Sequence, residues 1–246
     1  MSKQGTTQGR HRTLEGWPLV FTILVTISIL IGGAAEFIPM VLIEGNVPTI
    51  STVTPFSPLE LTGRDIYIRE GCVGCHSQMV RPFRHELERY GPYGRAGETI
   101  YERPFLWGSK RTGPDLSRVG GKYPDSWHAR HFEDPRSTSP RSLMPPYDWL
   151  LSRTLNLDNI QTKLSRLAML GTPYSEADIA GALASARAQA SKIAARIAAD
   201  GGSTTLEDKE VIAVIAFLQR LGKDIREAGY GQVPTDNSLV QTVGGR

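Results

Sequence analysis

The hydrophobic residues form one long run near the N-terminus, and further along they recur at the spacing of amphipathic helices. The run extends from Trp17 to Ile43, 27 residues that include one charged side chain, Glu36. A helix of this length reaches about 40 Å, more than the roughly 30 Å hydrocarbon core of a bilayer. A cleaved signal peptide has a shorter apolar region, about 7–15 residues, and ends in a small-x-small cleavage site. We therefore predict an uncleaved transmembrane anchor over residues 14–45.

Basic residues predict how this anchor is oriented. Three of them precede the helix: Lys3, Arg10 and Arg12. None follows it until Arg64. By the positive-inside rule, residues 1–13 stay in the cytoplasm and the chain beyond the anchor is exported. A carboxylate at the membrane edge needs water or a partner, so Glu36 either lies at the interface or faces a partner subunit.

After the anchor, segment 46–56 is rich in proline and threonine, shows no periodicity and is predicted to be a linker. A helix is predicted to begin at Pro58, because Ser57 and Glu60 have the spacing of a capping box and proline is favoured at the first helical position. Gly71 is expected to end this helix.

Beyond it, residues 81–121 are dense in proline, glycine and aromatic residues and are predicted to form an ordered loop. Caps and apolar periodicity predict three further helices: one capped by Asp158 and ending at Met169, one opened by Ser175 and Asp178 and ending before Gly201, and one starting near Thr204 and Glu207 and ending before Gly222. These elements define an exported domain over residues 57–226, followed by a polar tail over 227–246.

The composition excludes several classes of protein. Of the 246 residues, 40% are hydrophobic and 22% are charged, close to a globular average, so extensive disorder is excluded. The net charge of +3, from 28 basic and 25 acidic residues, is no electrostatic footprint for nucleic acid. With two cysteines the chain can form one disulfide at most, which excludes a disulfide scaffold.

Both cysteines lie in the motif Cys72-Val73-Gly74-Cys75-His76. Cys-x-x-Cys-His is the attachment signal for c-type haem. The spacing has a mechanical reason, since two thioethers tether the porphyrin vinyl groups and the next residue on the same short turn brings its imidazole to the iron. The motif therefore predicts one covalently bound haem c with His76 as its proximal ligand.

Three other interpretations of this motif compete with haem attachment. A thioredoxin-type redox motif expects a strand before it, whereas a helix precedes Cys72 here. A zinc site would need two more ligands, which His128 and His131 could provide. A structural disulfide between Cys72 and Cys75 would close too small a loop to add much stability. The adjacent histidine favours haem over all three.

The second axial ligand is predicted to be Met144. Prolines stiffen the loop after it and suit it to hold a thioether at the iron, which keeps a haem low-spin and fit for electron transfer. Met79 is only three residues beyond His76 and cannot reach the opposite face of the ring, and Met169 is expected to be a core residue of an amphipathic helix. A bis-histidine haem stays open as the alternative, with three candidate ligands: His85, His128 and His131.

The helices before and after these loops carry residues suited to a close crossing. Gly63 allows close approach of two backbones, and Tyr67 and Phe217 are large enough to fill the angle between the helices. The predicted fold is therefore all-α, with a single N-terminal transmembrane helix followed by a class I cytochrome c domain with long loops.

Longer matches on both sides of the motif resemble one family, the membrane-anchored mono-haem subunit of cbb3-type cytochrome c oxidase (subunit II, the fixO or ccoO type). These matches include Gly32, Gly33, Glu36, Pro39 and Glu86, and the segments 63–67, 70–72, 76–83, 88–91, 107–116 and 144–150. The alanine-rich stretch 179–199 is longer than the family needs, which leaves its local fold open.

The resemblance implies that Cys72 and Cys75 are the haem tethers, His76 the proximal ligand and Met144 the distal ligand. It implies an electron-transfer subunit in a bacterial inner membrane, with a periplasmic haem domain and no catalysis of its own. Electrons from a dihaem cytochrome c subunit, or a soluble cytochrome c, would pass through its haem to the haem-copper core subunit, which reduces oxygen and pumps protons. The alternative is a membrane-anchored cytochrome c of another complex, a dehydrogenase or a nitric oxide reductase.

Further residues are candidates to contact haem propionates or a partner surface: Arg81, Arg84, Trp107, Lys110 and Arg111. The alternative for each of the cations is an ordinary solvated side chain. We also expect the segment 107–116 to pack on the core subunit, because ten residues of resemblance so far from the haem motif require some contact to explain them.

Overall fold

The computed structural model describes residues 14–43 and 48–229, apart from the side chain of Val41, and divides into two units, Met1–Pro48 and Thr49–Arg246. The predicted cytoplasmic segment 1–13, with its three basic residues, lies outside the described residues, as does most of the predicted tail 227–246. Among the described residues one helix, α1 over Pro18–Leu42, is long and apolar enough to cross a membrane. None of its stretch Pro18–Met40 is buried, as expected of a helix whose side chains face lipid.

The second unit is helical, and its described part contains no strand beyond an isolated bridge between Thr154 and Lys209. Its helices, in chain order, are α2 (Pro58–Arg69), α3 (Arg84–Tyr90), α4 (Asp125–Glu133), α5 (Pro135–Thr138), α6 (Trp149–Ser152), α7 (Ile160–Met169), α8 (Glu176–Ala180), α9 (Ala182–Ala199), α10 (Glu210–Arg220) and α11 (Lys223–Glu227). Two short 3-10 helices cover Cys72–Gly74 and Ala96–Thr99. The all-α prediction is confirmed.

The predicted capping box at the start of α2 is present. Ser57 Oγ accepts a hydrogen bond from the Glu60 amide at 3.3 Å, and Ser57 N donates to Glu60 Oε2 at 2.8 Å. The helix ends at Arg69, and Gly71 follows in the left-handed region at φ 75°, where glycine is favoured. The chain therefore turns just before Cys72, as the sequence predicted.

Helices α2 and α10 cross at Gly63. A Cβ at this position would lie 1.8 Å from Ala213 O and 3.0 Å from Phe217 Cβ, so only glycine allows the two backbones to approach this closely. The rings of Tyr67 and Phe217 lie 5.3 Å apart at 57° and fill the crossing, where both are buried. The predicted helix crossing is confirmed, and it forms the centre of the apolar core.

Two predicted helix starts are wrong. Helix α10 begins at Glu210, not near Thr204, because the preceding residues pair with a distant loop: Leu155 N donates to Asp208 O at 2.7 Å and Glu210 N to Arg153 O at 3.0 Å. Helix α7 begins at Ile160 after Asn159, and Asp158 does not cap it. The Asp158 amide instead donates to Asn156 Oδ1 at 2.8 Å, a local turn that competes with capping.

The predicted loop 81–121 and the predicted alanine-rich helix also differ from the structure. The loop contains α3 and the 3-10 helix Ala96–Thr99. The alanine-rich segment is two helices, α8 and α9, separated at Gly181. Helix α9 buries one face of small and branched side chains: Ala182, Ala186, Ala190, Ile193, Ala194 and Ile197. This face packs against the core and explains why the stretch is rich in alanine.

Candidate haem site

A large cavity of about 890 Å³ opens on one side of the helix crossing. Its lining includes all four predicted haem-binding side chains: Cys72, Cys75, His76 and Met144. Tyr67 in α2 and Leu218 in α10 also line it. The fold therefore brings together residues that lie up to 72 positions apart in the sequence (from 72 to 144).

The tight turn after α2 positions the two cysteines. The amides of Cys75 and His76 both donate to Cys72 O, at 3.2 and 3.0 Å, which folds the motif into a single turn. Both thiols are free. Burial raises the pKa of Cys72 to about 12, so this thiol lacks the thiolate character on which a disulfide oxidoreductase depends.

The imidazole of His76 is held at one nitrogen and from one face. Its Nδ1 lies 2.8 Å from the carbonyl oxygen of Pro114, and because a carbonyl only accepts, Nδ1 carries the proton. A Cβ at Gly113 would lie 2.3 Å from His76 Cε1, so the glycine backbone packs on the ring. Burial lowers the pKa of His76, which keeps the ring neutral. Nε2 therefore keeps its lone pair for a metal, and the backbone fixes the ring orientation.

These residues fit a haem c better than a zinc ion. The cavity offers a neutral imidazole, a thioether and two free thiols, which are the groups that c-type attachment and axial ligation use, and His128 and His131 line it as well. In the described part of the chain, no group of three or more histidine, cysteine, aspartate or glutamate side chains could hold a metal ion.

Only some of the other candidate axial ligands line the cavity. Met169 is 84% exposed at the end of α7, so the prediction that it is a core residue is wrong; it lies on the polar face of its helix. His85 stacks on Phe83 at 5.8 Å and does not line the cavity. His128 and His131 do line it, and so the bis-histidine alternative keeps two of its three candidates.

A cluster of charged and polar side chains begins at the residue that follows His76. It consists of Ser77, Glu86, Arg111 and Asp115, and we call it the polar clamp. Arg111 donates to both carboxylate oxygens of Glu86, at 2.6 and 2.9 Å, and to Ser77 Oγ at 2.6 Å. Glu86 is 3% exposed. Hydrogen bonds from Arg111 lower the pKa of Glu86, which favours the ionised form of this buried acid.

Asp115 connects the polar clamp to the haem motif. Its Oδ2 accepts from Ser77 Oγ at 2.7 Å and from the Met79 amide at 2.9 Å, and the Ser117 amide donates to Oδ1 at 2.9 Å. The clamp thus joins the chain after His76 to the loop that carries Gly113 and Pro114. It holds in place the backbone that orients the imidazole.

None of the five predicted propionate or partner contacts lines the cavity. Arg111 belongs to the clamp, and Arg81 donates from Nη2 to Ser109 O at 3.2 Å. Arg84 pairs with Glu88 at 2.8 Å on the surface, Lys110 is exposed, and Trp107 stacks on Phe105 at 4.7 Å.

Other basic residues line the cavity, and the sequence analysis missed them: Arg89, Arg118, Lys122 and Arg141. Arg118 is committed to Glu98, with contacts at 2.7 and 2.8 Å. Lys122 and Arg141 are exposed. Arg141 stands three residues before Met144, a proximity in sequence that could have identified it.

Comparison with known proteins identifies one family. The family model described as cytochrome C oxidase, mono-heme subunit/FixO matches residues 11–225, which include both units of the chain. A comparison with curated proteins finds no significant match.

Proposed function

The chain belongs to the FixO family, the mono-haem subunits of cytochrome c oxidase, and from this premise we propose that it relays electrons within a cbb3-type oxidase through one haem c. The observation that supports the proposal most directly is that two free thiols, a neutral imidazole and a thioether all line the same cavity. A soluble cytochrome c or a dihaem subunit would supply the electrons. The haem-copper core subunit would receive them, reduce oxygen and pump protons.

Each residue has a defined role in this proposal. Cys72 and Cys75 would form the thioether bonds to the haem, and His76 Nε2 and the sulfur of Met144 would hold its iron. When bound, the haem supplies a one-electron Fe(III)/Fe(II) couple. With its iron held by two protein side chains, the haem would transfer electrons and would not bind oxygen, so we assign oxygen reduction to the partner subunit.

We propose that one part of the segment 107–116 contacts the core subunit. Within the segment 107–116, Gly113 and Pro114 support His76, and Asp115 belongs to the polar clamp. The haem site therefore explains the resemblance to the family in the second half of the segment. In the first half, Trp107 is exposed and stacks on Phe105, which is 53% exposed. Exposed aromatic pairs of this kind are typical interface anchors, and we propose that the core subunit covers this one.

We propose further that α1 anchors the subunit in a bacterial inner membrane, with residues 1–13 in the cytoplasm and the haem domain in the periplasm. Its exposed apolar side chains and the absence of a charged residue between Trp17 and Ala35 support a membrane span. Attachment of haem c outside the cytoplasm agrees with this orientation.

Replacement of Met144 by alanine tests the site and the function together. We expect the variant to keep its covalent haem but to lose the near-infrared band of the Fe(III)–thioether bond, and membranes that contain it to transfer electrons from a reduced cytochrome to oxygen more slowly. Met169→Ala is the matched control, because that side chain is exposed and does not line the cavity. An unchanged band in Met144→Ala would show that Met144 is not the ligand.

Purification of the intact complex separates the two functional candidates. An oxidase subunit co-purifies with a high-spin haem b core that reduces oxygen. Co-purification with a dehydrogenase or a nitric oxide reductase would support the alternative.

A further inference from the structure

A small cavity of about 60 Å³ has Gln78, Thr99 and Glu102 among its lining residues. Each of these side chains has a buried polar atom that no other described group satisfies: Gln78 Nε2, Thr99 Oγ1 and Glu102 Oε2. Glu102 is 9% exposed and Gln78 6%. Because buried polar groups are satisfied by protein or by water in native structures, three such atoms in one cavity indicate a designed polar site.

The cavity has the size and chemistry to hold water. One water needs at least about 10–15 Å³ of such space and two to four polar partners. An amide donor, a hydroxyl and a carboxylate acceptor provide those partners. Exposed Thr54 is also part of the lining, which gives the cavity a route to solvent.

Gln78 connects this cavity to the haem site. It stands two residues after His76, and its backbone amide donates to Trp107 O at 2.8 Å. The hydroxyl of Tyr67, whose ring lines the haem cavity, is turned toward the Gln78 side chain, although neither Tyr67 OH nor Gln78 Nε2 completes a hydrogen bond of good geometry. Gln78 therefore links the residues that line the small cavity to Tyr67 and His76 of the haem site.

The charges around Glu102 leave its own charge poorly compensated. Arg64 approaches with Nε at 3.9 Å, but its Nη atoms donate to the carbonyl oxygens of Arg103 and Pro104. On the 3-10 helix, Glu98 is neutralised by Arg118 at 2.7 Å. The remaining charged residues in the lining, Arg220 and Asp224, pair with each other.

We propose that Glu102 and the water-holding cavity around it form a proton-binding site that is coupled to the redox state of the haem. This inference depends on the proposed function, since it needs the haem. When the haem takes one electron from its donor, the carboxylate of Glu102 takes up a proton from solvent through the cavity. On oxidation the electron leaves for the partner subunit and the proton returns to solvent.

The electrostatics support this coupling. Burial raises the pKa of Glu102 to about 7; Arg64 opposes the rise and Glu98 adds to it. Reduction makes the haem one charge more negative, and in a medium of low dielectric constant this raises the proton affinity of a nearby carboxylate. The proton is therefore bound more tightly in the reduced state near neutral pH, and the midpoint potential falls as pH rises through that region.

The test is a spectroelectrochemical titration of the haem-loaded full-length chain in detergent between about pH 5.5 and 8.5, a range centred on the pKa of about 7. We expect the wild-type midpoint potential to fall with pH across this range. The potential of Glu102→Gln should lose most of this dependence, because glutamine fills the same volume but does not titrate. Glu176→Gln, at an exposed position, is the matched control and should behave like the wild type.

A second readout does not depend on any variant folding. The redox-difference infrared spectrum of the wild type should show a protonated carboxylic acid band that grows on reduction. A pH-independent wild-type potential, or a pH dependence that survives Glu102→Gln, would overturn the inference. Both outcomes leave the haem in place, whereas a chain without haem would overturn the proposed function and this inference with it.

Discussion

The helix crossing and the polar clamp both surround the haem cavity, yet they are held together by opposite means. At the crossing itself, α2 and α10 meet through Gly63 and buried aromatic rings, and the ion pairs between the two helices, Arg69–Glu210 and Glu60–Arg220, lie at the helix ends. Behind His76, the irregular loops meet through the buried charges of Glu86, Arg111 and Asp115. The comparison teaches that helices can position a cofactor by surface shape, whereas loops without regular hydrogen bonding need side-chain hydrogen bonds to fix their backbone.

The largest effect is expected from removing the central cation of the clamp. Arg111→Ala removes the nearest cation from the buried carboxylates of Glu86 and Asp115 and leaves Arg81 Nε, 3.7 Å from Glu86 Oε1, as a weaker partner of Glu86. Breaking a buried ion pair in this way costs about 3–5 kcal/mol of unfolding free energy. Chemical denaturation of the haem-loaded chain in detergent, followed by circular dichroism, measures it. Arg84→Ala removes an ion pair on the surface and should cost no more than about 0.5 kcal/mol. Equal losses in the two variants would refute the role of the clamp.

A smaller but still large effect is expected at the crossing. Gly63→Ala places a methyl group into the Ala213 carbonyl and forces the two helices apart, at a cost of about 1–3 kcal/mol, near the upper end because the obstacle is backbone. Thr62→Ala, on the next position of the same helix, should stay within about 0.5 kcal/mol of the wild type in the same denaturation experiment. If Gly63→Ala were as stable as Thr62→Ala, the close crossing would be wrong.

Loss of the N-terminal cap of α2, the helix that leads from the crossing to the haem motif, is expected to lower the free energy of unfolding by a smaller amount. Ser57→Ala removes the acceptor for the Glu60 amide and should cost about 1 kcal/mol. Ser185→Ala, at an exposed position inside α9, provides the comparison and is expected to be neutral or slightly stabilising. A neutral Ser57→Ala would mean that tertiary packing alone holds the start of α2.

The smallest expected difference between the two regions is a pH dependence. Since Arg111 lowers the pKa of Glu86 in the folded state, the stability from this group is fully present above the ordinary glutamate pKa of about 4.3 and is lost as pH falls through the folded value. Denaturation midpoints between about pH 6 and 3 should therefore decline less steeply in Glu86→Gln than in the wild type. Ile212→Val, a core variant in α10, should lower the midpoint without changing the slope.

The sequence could predict the features that depend on residues close together in the chain. The capping box at Ser57 and Glu60 spans four positions, and the haem motif spans five, so local spacing identified both. Gly63 was also predictable, because a glycine between apolar positions of a helix indicates close packing. These features define the helix crossing and one wall of the site.

The rest depends on contacts between residues far apart in the chain. Arg111 and Glu86 are 25 positions apart in segments without periodicity, so Arg111 was predicted to be a propionate or partner contact instead of a clamp residue. The start of α10 is set by Arg153, which no local pattern in residues 204–210 reveals. The candidate role of Glu102 likewise could not be predicted, because it depends on a fold that places this residue in one cavity with Gln78 and Thr99.

One measurement tests the central claim most directly: the mass of the denatured full-length chain, compared with that of a variant in which Cys72 and Cys75 are both replaced by alanine. The account predicts that the wild type carries the mass of one haem that acid-acetone does not extract, and that the double variant has the mass of the polypeptide alone. A wild-type chain without added mass, in cells that attach haem c to other proteins, would contradict it.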